Sequence, residues 1–195
     1  MRFQYTNRHG DVYHLQSKAR KTGALGYSFT RKLTGTPVDR LPDGYEVREL
    51  PKNAQVVLRK ITPSAILPLE KQVAEAAVRH QAKLEHFIVD SDGNEMVIWL
   101  PDMESDTKLE RMMGDFGFAT FSLETARERL VHRARYSMMM RFVLTDPARR
   151  TFDVQRWCFR GSIDGWFFLD GGKPLAALLK KYVPHLGKES FYELM

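Results

Sequence analysis

The sequence predicts an α+β fold: a small, basic, mostly-β N-terminal module followed by an antiparallel sheet packed with about three or four helices. Three observations predict it. Short stretches of alternating apolar and polar residues, separated by turn residues, fill the first sixty positions. The pattern switches to helical spacing after Thr62-Pro63. Three long strand-like runs then follow one another between residues 136 and 170. The expected division is 1–61 for the basic β-rich module and 62–195 for the α+β domain, packed separately or as one unit.

In the first module, FQYT and DVYHLQ flank Asn7-Arg8-His9-Gly10, a turn-like group ending in glycine, and form a hairpin. GYSFTRK (26–32) alternates aromatic and polar residues and reads as a third strand. Pro42-Asp43-Gly44 is a strong turn signal before YEVREL, and Pro51-Lys52-Asn53 turns the chain into QVVLRK. Four or five such strands make a small curled sheet.

In the second part, Leu69, Val73, Ala76, Ala77 and His80 recur at helical spacing between about Pro68 and Lys83, giving an amphipathic helix. HFIVD and EMVIWL flank Ser91-Asp92-Gly93-Asn94 as a hairpin. Residues 101–121 begin acidic, leave room for a short helix near 106–113 and end in a Gly/Phe loop. Ser122 reads as the N-cap of a second helix, with Glu124 in its first turn and Arg133 and Arg135 in its last. YSMMMRFVLT, RTFDVQRWCF and GWFFLD form a three-stranded meander. Lys173-Pro174 opens a last helix, LAALLKKYV.

The composition, 43% apolar and 28% charged, is that of an ordinary globular protein, and 195 residues suffice for a real core. The first twenty residues lack the apolar run of a signal peptide, and no segment nears the roughly 18 apolar residues of a membrane span. Cys158 is the sole cysteine, which excludes an internal disulfide and a multi-cysteine zinc site. A cytoplasmic setting and no membrane partner are therefore expected.

The net charge of +6 is uneven: residues 1–60 hold 12 Lys/Arg against 5 Asp/Glu, and the remainder 18 against 19. The basic excess belongs to the N-terminal third, which suits an acidic partner, whether nucleic acid or an acidic protein. Arg8, Lys18, Arg20, Lys21, Arg31 and Lys32 are the polyanion-binding candidates, with Tyr5, Tyr13, Tyr27 and Phe29 interleaved. In a small sheet such aromatics could stack bases while the cations track phosphates, or simply face inward. The cluster KARK (18–21) is the best single candidate for phosphate contact.

The stretch TFDVQRWCFRGSIDGWFFLD (151–170) mixes two tryptophans, two arginines and three aspartates with apolar residues. Buried charges are costly unless paired, so it is either a satisfied structural network or a site. As a strand, Phe152, Val154, Arg156, Cys158 and Arg160 share one face, and Asp153, Gln155, Trp157 and Phe159 the other. The pocket candidates are Arg156, Trp157, Arg160, Asp164 and Trp166, with Arg160 and Asp164 pairing across the Gly161 turn. The structural reading, with Asp164 holding the turn and the tryptophans filling core, is preferred.

No catalytic residue is assigned, and no cofactor. Cys158 lacks a histidine at a telling spacing, and His9/His14 and His80/His86 match no metal motif. Asp90, Asp92 and Glu95 lack the twelve-residue calcium-loop spacing, so no metal is assigned. Phosphate-loop, dinucleotide and nucleophile-elbow signatures are absent. The acidic run Asp102, Glu104, Asp106, Glu110 and the pair Glu124/Glu128 read as a solvated face, and Met138–Met140, Met112 and Met113 as packing.

Two stretches, YTNRHGDVYHLQ with PDGYEVREL at the front and RWCFRGSIDGWFFLD to HLGKESFYELM at the back, are similar to a group of bacterial proteins of unassigned function. The resemblance spans most of the chain and implies no activity, ligand or catalytic residue. The leading expectation is a soluble, non-catalytic binding or regulatory protein whose basic module contacts an acidic partner such as nucleic acid. The alternatives are an enzyme or small-ligand protein with a pocket at the 156–166 turn, and a homo-oligomer formed through the apolar meander; oligomeric state is left open.

Overall fold

A computed structural model describes residues 2–21, 23–102, 131, 133–160 and 163–195; the side chains of residues 159, 160 and 163 lie outside the description. The chain forms two units, Met1–Ile61 with Asp102–Arg135, and Thr62–Pro101 with Tyr136–Met195.

The first unit holds strands β1 (Gln4–Thr6), β2 (Val12–Ala19), β3 (Leu25–Thr30), β4 (Thr36–Pro37), β5 (Tyr45–Glu49) and β6 (Val56–Lys60). All pairings are antiparallel. β2 carries β3 along one edge, while β1 and β4 share the other; β5 and β6 form a separate two-stranded ladder. The shared edge is stitched by Leu15 N–H donating to the Phe3 carbonyl (3.1 Å), Phe3 N–H to Val38 and Val38 N–H to Leu15. Leu15, Ala54, Val56 and Val131 are buried.

Asn7 joins the two ladders. Its side chain, 5% exposed, donates from Nδ2 to the Ala54 carbonyl (2.8 Å) and accepts at Oδ1 from the amides of His9 (3.0 Å) and Asp11 (2.8 Å). One amide thus shapes the β1–β2 turn and clamps it to the β5–β6 turn. Gly10 completes the first turn at φ +81°, a value glycine adopts without strain.

The second unit holds β7 (Ile88–Asp92), β8 (Glu95–Pro101), β9 (Tyr136–Asp146), β10 (Thr151–Arg160) and β11 (Ile163–Pro174) in one antiparallel sheet, ordered β11-β10-β9-β8-β7. Helices α1 (Pro68–Ala77) and α2 (Leu175–Tyr182) lie on one face, where Met96, Ile98, Met140, Phe142, Leu144, Phe152 and Val154 meet Ala74, Ala77, Val78, Leu178 and Leu179 in one core. α1 runs into a π-helical turn, Val78–Ala82, which Lys83 ends at φ +58°.

Asp170 fastens β11 to α2, accepting from Lys173 (2.8 Å), Lys181 (3.2 Å) and the Tyr182 hydroxyl (3.1 Å). Lys173 foremost, then Lys181, the Gly171 amide and Tyr182, hold its carboxyl far below the usual carboxylate range against the opposing effect of burial. At Gly171 a Cβ would displace the Asp153 carboxylate, which accepts from the Gly172 amide at 3.0 Å, so glycine leaves that contact in place at the bulged end of β11.

An antiparallel sheet packed with three or four helices is not what forms. Among the described residues strands take 45% and helical turns 19%, there are three sheets, and the α-helices are two, of ten and eight residues. The strand share is high because β9, β10 and β11 run 11, 10 and 12 residues, about twice the usual 5–6, with β11 staying paired to β10 past the irregularity at Asp153/Val154 as far as Pro174. The expected helix near 106–113 and the first nine residues of the one from Ser122 (122–135) fall on residues 103–130, outside the description, as do Met112 and Met113; Val131 and Arg133, near the end of the second, are helical.

The face of α1 also differs from expectation. Leu69 is 67% exposed and Val73 and Ala76 are exposed, whereas Ala74, Ala77 and Val78 face the core. Both stripes satisfy helical spacing; the small one lets the helix lie close to the sheet.

Candidate functional site

The β2–β3 hairpin gathers three of the six basic candidates. Its tip is closed by Arg20 N–H to the Ala24 carbonyl (2.8 Å) and Gly23 N–H to Arg20 (2.9 Å). Lys18, Arg20 and Lys21 are exposed around it, and their side chains make no ion pair or hydrogen bond with the described residues. The Arg20 side chain lies over Gly26 and that of Lys18 beside Gly35, positions where a Cβ would crowd them. Tyr27 is exposed between the tip and the far end of β3, while Phe29 packs on Phe3 with ring centroids 6.0 Å apart.

Arg31 and Lys32 sit at that far end, both exposed; Arg31 stands 3.7 Å from Asp11 and Lys32 has no ion pair among the described residues. Arg8 is engaged otherwise. Its Nη1 donates to Glu49 Oε1 (2.8 Å) and the Leu50 carbonyl (3.3 Å), and its Nη2 to the Pro51 carbonyl. The Tyr5 hydroxyl reaches the same carboxylate at 3.5 Å, and burial first, then Glu49, pushes its pKa up. Arg8 is therefore part of the brace between turns.

In the second unit the β10–β11 register sets Trp157 against Trp166, with rings edge-to-face at 5.2 Å. Arg156 faces the other way. It is 9% exposed, donates from Nε to the Leu194 carbonyl (2.7 Å) and lies 5.4 Å over the Phe167 ring. Asp164 is exposed and lies opposite Phe159; Arg160 lies opposite Ile163, and its side chain is outside the description. The register does not set Arg160 against Asp164. Cys158 is free and half-buried.

The guanidinium that stacks on this tryptophan pair is Arg141. It sits 4.6 Å over the Trp166 ring while donating to Gln155 (2.8 Å) and Glu95 (3.0 Å). Sequence spacing could not find it, because only the β9–β10 register, Gln155 opposite Arg141, brings residue 141 beside residue 166.

An unanticipated polar cleft of about 370 Å³ opens in the first unit, lined by His9, Asp11, Tyr13, Arg31, Asn53 and Gln55. It arises because Asn7 clamps the 7–11 turn to the 51–55 turn. The His9 Nε2 is buried without a hydrogen-bond partner among the described residues. Burial, and next the Arg8 guanidinium, lower the His9 pKa, outweighing Ala134, Asp11 and Glu49. A base depressed in the folded state binds fewer protons than in the unfolded chain. Its stabilising contribution is whole above the unfolded value of about 6.5 and is lost as pH falls from there toward the lower folded value. Urea midpoints followed from about pH 7.5 to 5 should therefore fall less steeply in His9→Gln than in the parent; equal slopes would refute the assignment.

An apolar groove in the second unit is lined by Val73, Ala76, Ala77, Ala176 and Leu179, with His80 and Gln81 at its side. Among the described residues no three of His, Cys, Asp and Glu are placed to hold a metal ion, and no helix is long and apolar enough to cross a membrane. Compared with known proteins, the chain matches no family model, no curated protein and no solved structure.

Proposed function

We propose that this is a non-catalytic binding protein that holds a nucleic acid through the basic β2–β3 hairpin of its first unit. The observation that carries the reading is the tip itself: Lys18 at the end of β2, and Arg20 and Lys21 in the turn that follows, stand exposed with no carboxylate paired to them among the described residues. Cations already matched to carboxylates offer little to a partner, whereas unmatched ones release counterions from a polyanion when they meet it. Tyr27 adds an exposed ring beside the cations. A single free cysteine suits the reducing conditions of a bacterial cytoplasm.

The 156–166 turn offers less to a ligand, since Arg156 is already held by Leu194 and Arg141 by Glu95 and Gln155. Fluorescence anisotropy of the full chain with labelled single- and double-stranded oligonucleotides tests the proposal. Affinity should fall steeply with salt, and K18A/R20A/K21A should reduce the log–log slope by about 2–3, from 0.7–0.9 per lost phosphate contact. Salt-insensitive binding, or none at low salt, would sink it.

A further inference from the structure

The cleft at the far end of β3 has a chemistry unlike that of the hairpin tip. Among the described residues its one cation, Arg31, is balanced by Asp11, and His9 is biased toward its neutral form. Such a lining selects a neutral group with both donors and acceptors over a bare anion. The polar groups are open to a ligand. The Gln55 side chain makes no hydrogen bond among the described residues, and Asn53 uses only its oxygen, accepting from the Gln55 amide at 3.1 Å. Their amides can match the edge of a planar heterocycle, and Tyr13 offers a ring on which it can stack. A volume of about 370 Å³ lies at the small end of ligand sites, enough for a base but not for a duplex.

We propose that this cleft takes one unpaired nucleobase of a single strand whose phosphates run along β3 to the basic tip. The proposal rests on the nucleic-acid reading above and adds to it that the strand is single and that one base is held apart. β3 and the residue after it separate tip from cleft by about 20 Å at roughly 3.3 Å per residue, a span of several nucleotides.

The test uses the full chain, a labelled 12-nucleotide oligothymidylate, the same length as duplex, and thymidine monophosphate. Single strand should bind at least about tenfold more tightly than duplex, the equivalent of one stacked base at 1–3 kcal/mol. Gln55→Ala and Tyr13→Leu should each weaken single-strand binding severalfold with an unchanged salt slope. The monophosphate should shift the side-chain amide resonances of Asn53 and Gln55. Gln55 is exposed and makes no side-chain bond, so its variant keeps the test valid if Tyr13→Leu does not fold. Equal binding of duplex and single strand, or unchanged affinity in Gln55→Ala, overturns the cleft assignment and leaves the polyanion reading standing. Absence of oligonucleotide binding at low salt overturns both.

Discussion

Replacing Asn7 with alanine should destabilise the first unit by about 2–4 kcal/mol. The side chain is buried and makes three hydrogen bonds, one to the Ala54 carbonyl and two from the amides of His9 and Asp11. A buried group left without its partner costs about 1–3 kcal/mol. Ala54 is fully buried, so its carbonyl carries most of the loss, while the two amides belong to half-buried residues that water can reach in part. Asn7→Asp separates these contributions: it keeps the acceptor for both amides and removes the donor to Ala54. Urea unfolding followed by circular dichroism measures the effect. All three tryptophans, Trp99, Trp157 and Trp166, lie in the second unit, so their emission reports that unit alone. An unchanged first transition in Asn7→Ala would show that Asn7 is not the clamp.

The second large effect is expected at Arg156. Truncation to alanine should cost the second unit about 2–4 kcal/mol, because it removes buried stem, ring contact with Phe167 and the bond that holds Leu194. Arg156→Met keeps most of the volume and should recover about half of that loss. Leu194 packs against the core cluster, so the arginine acts as a latch on the end of the chain. Deleting residues 194 and 195 removes the same latch. The double variant should therefore be less destabilised than the sum of the singles. Full additivity, read from urea midpoints by tryptophan emission, would mean that Arg156 and Leu194 act independently.

Strand positions in the first sixty residues could be read locally, because each is bounded by a turn whose chemistry is written in two or three residues. Pro42-Asp43-Gly44 puts Gly44 at φ +78° immediately before β5, and Gly93 turns β7 into β8 at φ +54°. Spacing alone cannot choose between two apolar stripes on α1, nor show how far β11 stays paired to β10 past the irregularity at Asp153/Val154. Residues with local roles were thus legible, and those defined by a distant partner were not. Arg8 reads from sequence as a polyanion-binding cation, whereas the fold sets Glu49, 41 positions away, beside it. Nothing near Arg141 in sequence marks it, because the pairing of β10 and β11 is what places Trp166 under it.

The sequence by itself determined the charge asymmetry, the basic cluster at 18–21 and the local turns, since these depend on composition and on neighbours a few residues apart. Only the tertiary structure decided which cations have no ion pair among the described residues, which way Arg156 points, and that the 7–11 and 51–55 turns meet around a cleft. The reason is physical. Pairing and enclosure are properties of groups brought together from distant parts of the sequence, and a burial pattern fixes which faces meet but not which side chains find each other there.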